Sequence, residues 1–236
     1  MQTLTKELRR AVCVHEAGHA IIHALGGDFI YRVAVAPEGA TDWQVEGRKG
    51  STLTDLWGVC SPSDLGMATM FMKWDEAEWA YRTDRTGFNA FHKLLDRQAR
   101  EQGMRAGALA HQRNALRRHL FGTLAGPIAE ALYLGEDAQV ATSPYIQYEG
   151  DDISKAFAYS CLLPWRNEYE HAQELTEKTL RRPDVWEMVM RLADELERVG
   201  DIEEGLEAFL PARVPNWPPS PRERQDRPFV VRPLEF

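Results

Sequence analysis

The feature that most constrains this sequence is a helix predicted from about Thr5 to Leu25. Apolar residues recur along it with helical spacing, and Gly26-Gly27 predicts its end because glycine readily takes the left-handed cap conformation. The segment His15-Glu16-Ala17-Gly18-His19 lies inside this helix. Two side chains with that spacing lie on nearly the same helix face, about 5–6 Å apart at Cβ.

Two histidines with this spacing can bind one metal ion through their ring nitrogens at ~2.0–2.1 Å, and H-E-x-x-H is typical of zinc metallopeptidases. Glu16 points about 100° away around the helix, where it can take a proton from a metal-bound water. Zinc lowers the pKa of such a water to about 7 and polarises a scissile carbonyl. The motif therefore predicts His15 and His19 as zinc ligands and Glu16 as the catalytic base.

The other histidines and the cysteines are predicted to have structural roles. His23 lies one turn beyond His19, and three imidazoles along one straight helix cannot surround an ion tetrahedrally. The remaining four histidines have no motif context, so hydrogen-bonded or solvated side chains are expected. The three cysteines are odd in number and form no C-x-x-C pair, which favours buried free thiols.

Composition and charge exclude several classes of partner. The chain of 236 residues has 28 basic and 36 acidic side chains, and no long basic stripe interrupts the net charge of −8, so nucleic-acid binding is not expected. No stretch of about 18 apolar residues predicts a membrane span, and Met1 to Arg10 has no signal-peptide core. We therefore expect a cytoplasmic protein without a membrane partner.

The rest of the chain predicts a mainly α (α+β) fold, with a small β-sheet after the H-E-x-x-H helix. Phe29 to Ala36 is typical of a strand, and short strands are expected between Trp43 and Val59. Helical patterns cover Asp64 to Gly122, Ala115 to Leu134, Asp151 to about Leu163 and Asp184 to Val199. Asp201 and Glu204 resemble a capping box that begins a last short helix.

Two regions are predicted at the level of domains. Residues 1–210 form one metallopeptidase domain, and residues 211–236 form a tail rich in proline and arginine. That composition favours extended or disordered chain.

Several segments together resemble the peptidase domain of the FtsH family of AAA+ zinc metalloproteases. HEAGHAIIHAL is similar to the zinc helix of that family, and Tyr31 to Gly39 resembles the strand that follows it. Leu124 to Leu134 (LAGPIAEALYL) and Gly150 to Ala156 (GDDISKA) resemble two further family segments. Arg182 to Leu210 is similar to the closing helices. The resemblance implies a helical, zincin-like peptidase domain.

The resemblance also implies a third zinc ligand, which falls on Asp152. Zinc accepts a carboxylate oxygen readily, and a ligand at the start of a helix has its direction fixed by the backbone. Asp151 is the nearest alternative, and Glu130 is either a direct ligand or a residue that orients a ligand histidine. Pro127 replaces an arginine of the family pattern and indicates that its helix begins there. The segment Asp64 to Leu120 has no counterpart and is expected to be a lid, a cleft wall or an oligomer contact.

The chain contains no G-x-x-x-x-G-K-[ST] phosphate loop, so the predicted protein is the peptidase part alone. We expect it to cleave unfolded or short polypeptides without ATP, or to receive substrates from a separate unfoldase or adaptor. An extended peptide is expected to add to an exposed edge of the Tyr31 to Ala36 strand. The resemblance also suggests a homo-oligomer. The alternative function is a non-catalytic protein-interaction module that keeps the metal-bound fold.

Overall fold

The computed structural model describes residues 3–46, 52–54, 56–76, 80–101, 103, 106–144, 151–221 and 234. Within these ranges the chain is mainly helical with small sheets, an α+β class. The helices are α1 (Lys6–Gly26), α2 (Arg85–Glu101), α3 (Ala106–Leu134), α4 (Ala138–Ala141), α5 (Asp151–Cys161), α6 (Glu168–Leu180) and α7 (Pro183–Val199). The strands are β1 (Ile30–Val35), β2 (Val45–Glu46), β3 (Thr52–Leu53), β4 (Gly58–Pro62), β5 (Lys73–Asp75), β6 (Ala80–Arg82) and β7 (Asp201–Ile202).

Helix α1 has the predicted bounds because both of its ends carry capping residues. The hydroxyl of Thr5 accepts a hydrogen bond from the backbone N–H of Leu8 at 3.3 Å. At the other end, Gly27 has a φ of 88°, and its N–H bonds back to the Ala24 carbonyl. The second half of α1 is almost entirely buried, so this helix forms the centre of the core.

Helix α3 is the main neighbour of α1, and α7 packs on another side. Small residues allow the close approach of α1 and α3. A Cβ atom added to Gly18 would lie 2.6 Å from the Cβ of Ala129 and 2.7 Å from the carbonyl oxygen of Ala125. The side chains between the helices are buried and apolar, which fixes the positions of the polar groups that share this interface.

The largest sheet has the strand order β4-β1-β7, with antiparallel pairing on both sides of β1. The hypothesis that a peptide adds to β1 is therefore wrong, because β1 is the central strand and β4 is an edge. The predicted capping box at Asp201 is also wrong. Asp201 pairs with Ala34 of β1, and its carboxylate forms an ion pair with Arg32. Contacts across the sheet thus override the local capping signal.

The segment predicted as helical from Asp64 contains more than helices. A 3-10 helix (Gly66–Phe71) leads into the β5–β6 hairpin, and α2 follows. The prediction that a helix begins at Pro127 is wrong, since Pro127 lies inside α3. Proline removes only one helix hydrogen bond, from the N–H that would pair with the Thr123 carbonyl, and the extensive packing of α3 compensates for this loss.

In the described part of the predicted tail, residues 211–219 pack on the core. The N–H of Val214 donates to the Leu25 carbonyl at 2.9 Å, and Trp217 is buried against Phe121. Core packing thus continues past residue 210. Residues 222–233 and 235–236 lie outside the described part of the chain. Among the helices described, none combines the length and the apolar character needed to cross a membrane.

Candidate metal centre

His15, His19 and Asp152 come together at one point between α1 and α5. The Nε2 atoms of the two histidines are 3.0 Å apart, and each lies 3.2 Å from the Oδ2 atom of Asp152. Three ligand atoms with this spacing can all lie ~2.0–2.1 Å from one ion, as zinc requires of nitrogen and carboxylate ligands. The structure therefore brings all three sequence-predicted ligands into one cluster.

The opposite nitrogen of each ring determines which nitrogen is free to bind. His19 Nδ1 lies 2.7 Å from the carbonyl oxygen of Gly122, which can only accept, so Nδ1 carries the proton and donates it. His15 Nδ1 donates to the Oε2 atom of Glu130 at 2.8 Å. Both Nε2 atoms are then unprotonated in the neutral rings. Two bare nitrogens and a carboxylate oxygen facing one another suit a divalent cation.

Glu130 thus lies behind His15 and not among the three clustered ligand atoms. Its oxygen contacts Nδ1, on the side of the ring away from Asp152. This is the orienting role that the sequence left open for Glu130. A carboxylate in this position fixes the tautomer and the ring direction of a ligand histidine and increases its basicity.

Asp152 reaches the cluster from the first turn of α5. A ligand at a helix start has a well-defined backbone direction, which agrees with the physical reason for favouring it. The side chain of the alternative, Asp151, and residues 145–150 lie outside the described part of the structure.

Glu16 projects from α1 toward β4. A Cβ atom added to Gly58 of β4 would lie 2.5 Å from the Oε1 atom of Glu16 and 2.6 Å from its Cγ atom. Only a glycine leaves space for this carboxylate between helix and strand. Glu16 is also close enough to His15, His19 and Asp152 for their charges to influence its pKa.

Glu16, Asp152 and His15 have pKa values shifted from their ordinary ones. Burial raises the pKa of Glu16, and the neighbouring histidines oppose part of that shift. Burial would also raise the pKa of Asp152, but His19 and His15 outweigh it and hold that pKa well below its usual range. Burial would lower the pKa of His15, whereas Asp152 and Glu130 raise it well above the ordinary value. The cluster thus concentrates negative charge where a cation can compensate for it.

Gly126 of helix α3 provides space for both imidazoles, and the sequence analysis did not identify it. A Cβ atom on Gly126 would lie 2.3 Å from His19 Nε2 and 2.6 Å from His15 Cδ2. One turn earlier, the Gly122 carbonyl holds His19. The sequence did contain a signal, since Gly122 and Gly126 are four residues apart on one helix face.

A second buried cluster contains His23, Asp28 and His119. His23 Nδ1 donates to Asp28 Oδ2, and Arg118 Nε donates to Asp28 Oδ1, each at 2.9 Å. The guanidinium already neutralises the carboxylate, so we interpret this cluster as structural. This agrees with the structural role predicted for His23.

No protein-family model matches this chain, and no curated protein matches it. The chemistry of the centre therefore has to follow from its own residues. The arrangement can hold one divalent cation through two neutral imidazoles and a carboxylate, with a second carboxylate, Glu16, beside it. Three protein ligands leave a tetrahedral ion one position for water or substrate, as in catalytic rather than structural zinc sites.

Proposed function

We propose that this protein is a zinc-dependent endopeptidase in which His15, His19 and Asp152 hold the metal and Glu16 is the general base. The observation that carries the proposal is the triangle of Nε2, Nε2 and Oδ2 atoms, with sides of 3.0, 3.2 and 3.2 Å. Hydrogen bonds from the opposite ring nitrogens fix the tautomer that leaves both Nε2 atoms free to bind a metal when the rings are neutral. In that tautomer a metal ion can take the place between the three acceptor atoms that a proton on His15 takes otherwise.

The bound zinc would supply an acidified water and an electrophile for the peptide carbonyl. Glu16 would accept the proton of that water and later transfer it to the amine that leaves. Its raised pKa suits this role, because a base whose pKa lies nearer to neutrality can also act as an acid in the next step. Glu130 and the Gly122 carbonyl would keep the two rings in the binding orientation.

The proposed substrate is an extended segment of an unfolded or short polypeptide. Strand β4 is an edge of the sheet, and its Gly58 lies directly against Glu16. Main-chain hydrogen bonds to such an edge would hold a peptide extended beside the cluster. We therefore propose that a peptide docks on β4, and not on β1 as expected from the sequence. The corresponding fold proposal is a zincin-like, FtsH-related peptidase domain.

The first test is to measure zinc content and casein hydrolysis together for the wild type, Glu16→Gln and Asp152→Ala. Glu16→Gln should keep about one zinc per chain and lose at least ~10²-fold in hydrolysis, since general-base catalysis contributes on that order. Asp152→Ala should lose the zinc as well as the activity. Zinc-free wild type, or full activity of Glu16→Gln, would contradict the proposal. A non-catalytic interaction module would show no hydrolysis in any of the three proteins.

A further inference from the structure

The segment that lacks a counterpart in the family pattern packs against the helix that carries the third ligand. We define the β5–α2 segment as residues 73–101, of which residues 77–79 lie outside the description. Its strand β6 packs on α5, and α2 packs on α3. Phe91 and Leu95 of α2 are 3% and 2% exposed and belong to the main core. The segment is therefore built into the domain and can restrain α5.

One contact holds the first turns of α5. The backbone N–H of Tyr81 in β6 donates to the Oγ atom of Ser154 at 3.2 Å. Ser154 is two residues after Asp152, within the same helix. Beside it, the Nζ atom of Lys155 lies 5.5 Å from the centre of the Tyr81 ring, within the range of a cation–π contact. Tyr81 thus binds α5 next to the proposed ligand through both its backbone and its ring.

A second contact holds the other end of α5. His92 of α2 donates from Nε2 to the carbonyl oxygen of Leu162, just beyond the last residue of the helix, at 3.0 Å. Arg113 donates to His92 Nδ1 at 3.1 Å. Because arginine can only donate, Nδ1 must accept and Nε2 must carry the proton. The tautomer of His92 is therefore fixed in the form that binds α5.

We propose that the β5–α2 segment positions Asp152 for metal binding by holding α5 at both ends, with Tyr81, Ser154 and His92 as positioning residues. This inference rests on the proposed function. A ligand that arrives from a separate helix contributes fully only if that helix is held in place, and loss of outer partners typically weakens metal affinity by about 10–100-fold. The role assigned to the segment is neither a mobile lid nor an oligomer contact.

The test is the zinc dissociation constant of the folded full-length chain, measured by competition with a chelator at a temperature well below unfolding. Ser154→Ala removes the acceptor for the Tyr81 N–H and should weaken zinc binding on the order of 10-fold. Ser160→Ala is the matched control on the same helix, because the Ser160 hydroxyl donates within α5, to the Phe157 carbonyl at 2.7 Å. This control should bind zinc as tightly as the wild type.

The His92 contact offers an independent pair of variants. His92→Gln keeps an N–H donor for the Leu162 carbonyl and should bind zinc almost as tightly as the wild type. His92→Phe fills the same space without a donor and should weaken zinc binding on the order of 10-fold. A purely structural role would lower the unfolding temperature of His92→Phe but would leave the zinc dissociation constant of the folded protein unchanged.

The outcomes separate this inference from the function on which it rests. If the wild type binds zinc and hydrolyses casein while Ser154→Ala and His92→Phe keep wild-type zinc affinity, the positioning role is overturned and the proposed function stands. If the wild type binds no zinc, both are overturned. Selective weakening in Ser154→Ala and His92→Phe, with Ser160→Ala and His92→Gln unchanged, supports the positioning role.

Discussion

At the residue scale, the candidate metal centre depends on a glycine as much as on its ligands. We expect Gly126→Ala to abolish tight zinc binding, because the new Cβ would lie 2.3 Å from His19 Nε2 and would push the ligand ring aside. The fold should survive, since the ring can rotate away and alanine favours a helix interior over glycine by about 1 kcal/mol. Zinc content and the far-ultraviolet circular dichroism of the purified variant test both expectations.

Gly18→Ala is the contrasting variant, because its Cβ would clash with helix α3 and not with a ligand ring. The nearest atoms are the Ala129 Cβ and the Ala125 carbonyl oxygen, at 2.6 and 2.7 Å. Backbone atoms cannot rotate away, so the helices must separate and the folded state should be destabilised. Equal loss of zinc and of helical structure in both variants would show that Gly126 acts on packing and not on the ligand ring.

At the element scale, a buried ion pair joins α3 to the start of α6. Arg117 donates to both carboxylate oxygens of Glu168, at 2.8 and 2.6 Å, and the two side chains are 4% and 0% exposed. Glu168→Gln leaves the buried guanidinium without a countercharge, which should lower the free energy of unfolding by ~3–5 kcal/mol. Urea denaturation followed by circular dichroism measures this change.

Glu195→Gln is the control for this prediction, since it breaks the exposed pair with Arg198 on α7. Exposed pairs contribute little because water screens them and both side chains lose conformational freedom. We expect its urea midpoint to match that of the wild type. A comparable loss in both variants would mean that burial of the Arg117–Glu168 pair does not determine its contribution.

Elements with local signals were predictable from the sequence, and elements made by distant contacts were not. Helix α1 follows from its caps, and α7 follows from its apolar spacing and from Gly200, which has a φ of 79°. The strands of the β5–β6 hairpin have three residues each, too few to show an alternating pattern. Strand β7 exists because it pairs with β1, and no property of its own residues indicates a strand.

The same distinction applies to the candidate site. His15 and His19 lie four residues apart on one helix, so their convergence follows from helix geometry alone. Asp152 is 137 residues from His15 in the sequence, so local geometry could not predict their contact. Only the resemblance to a family suggested Asp152 as a ligand. The hydrogen bond from His19 to the Gly122 carbonyl could not be predicted, since every residue has a carbonyl and only the packed structure selects one.

At the scale of the whole molecule, the second buried cluster should make stability depend on pH. Burial is the main cause that lowers the pKa of His119 to about 3, and the adjacent His23 and Arg118 add to the shift while Asp28 opposes it. Tyr159 of α5 also faces this ring. Burial would raise the pKa of Asp28, but the contacts with His23 and Arg118 outweigh it and lower that pKa to about 2. The folded state therefore favours the neutral His119 ring and the ionised Asp28 carboxylate, and protonation at low pH removes both forms.

The sign of the effect of His119 follows from its two pKa values. In the unfolded chain the ring titrates near its ordinary value of about 6.5, and in the folded protein it titrates near 3. Between these values the unfolded state binds a proton that the folded state excludes, so the free energy of unfolding falls as pH falls, by up to ~1.4 kcal/mol per pH unit. Above pH of about 7 this group contributes no pH dependence.

We expect His119→Gln to reduce this slope by up to one proton, because glutamine does not titrate. Urea denaturation in the presence of a chelator, at several pH values between about 4.5 and 7.5, compares the variant with the wild type while metal release is kept out of the measurement. All other titratable groups are common to both proteins, so the difference in slope reports on His119. Parallel curves across this range would mean that His119 takes up its proton in the folded state, and that the cluster is open enough to water to accommodate the charge.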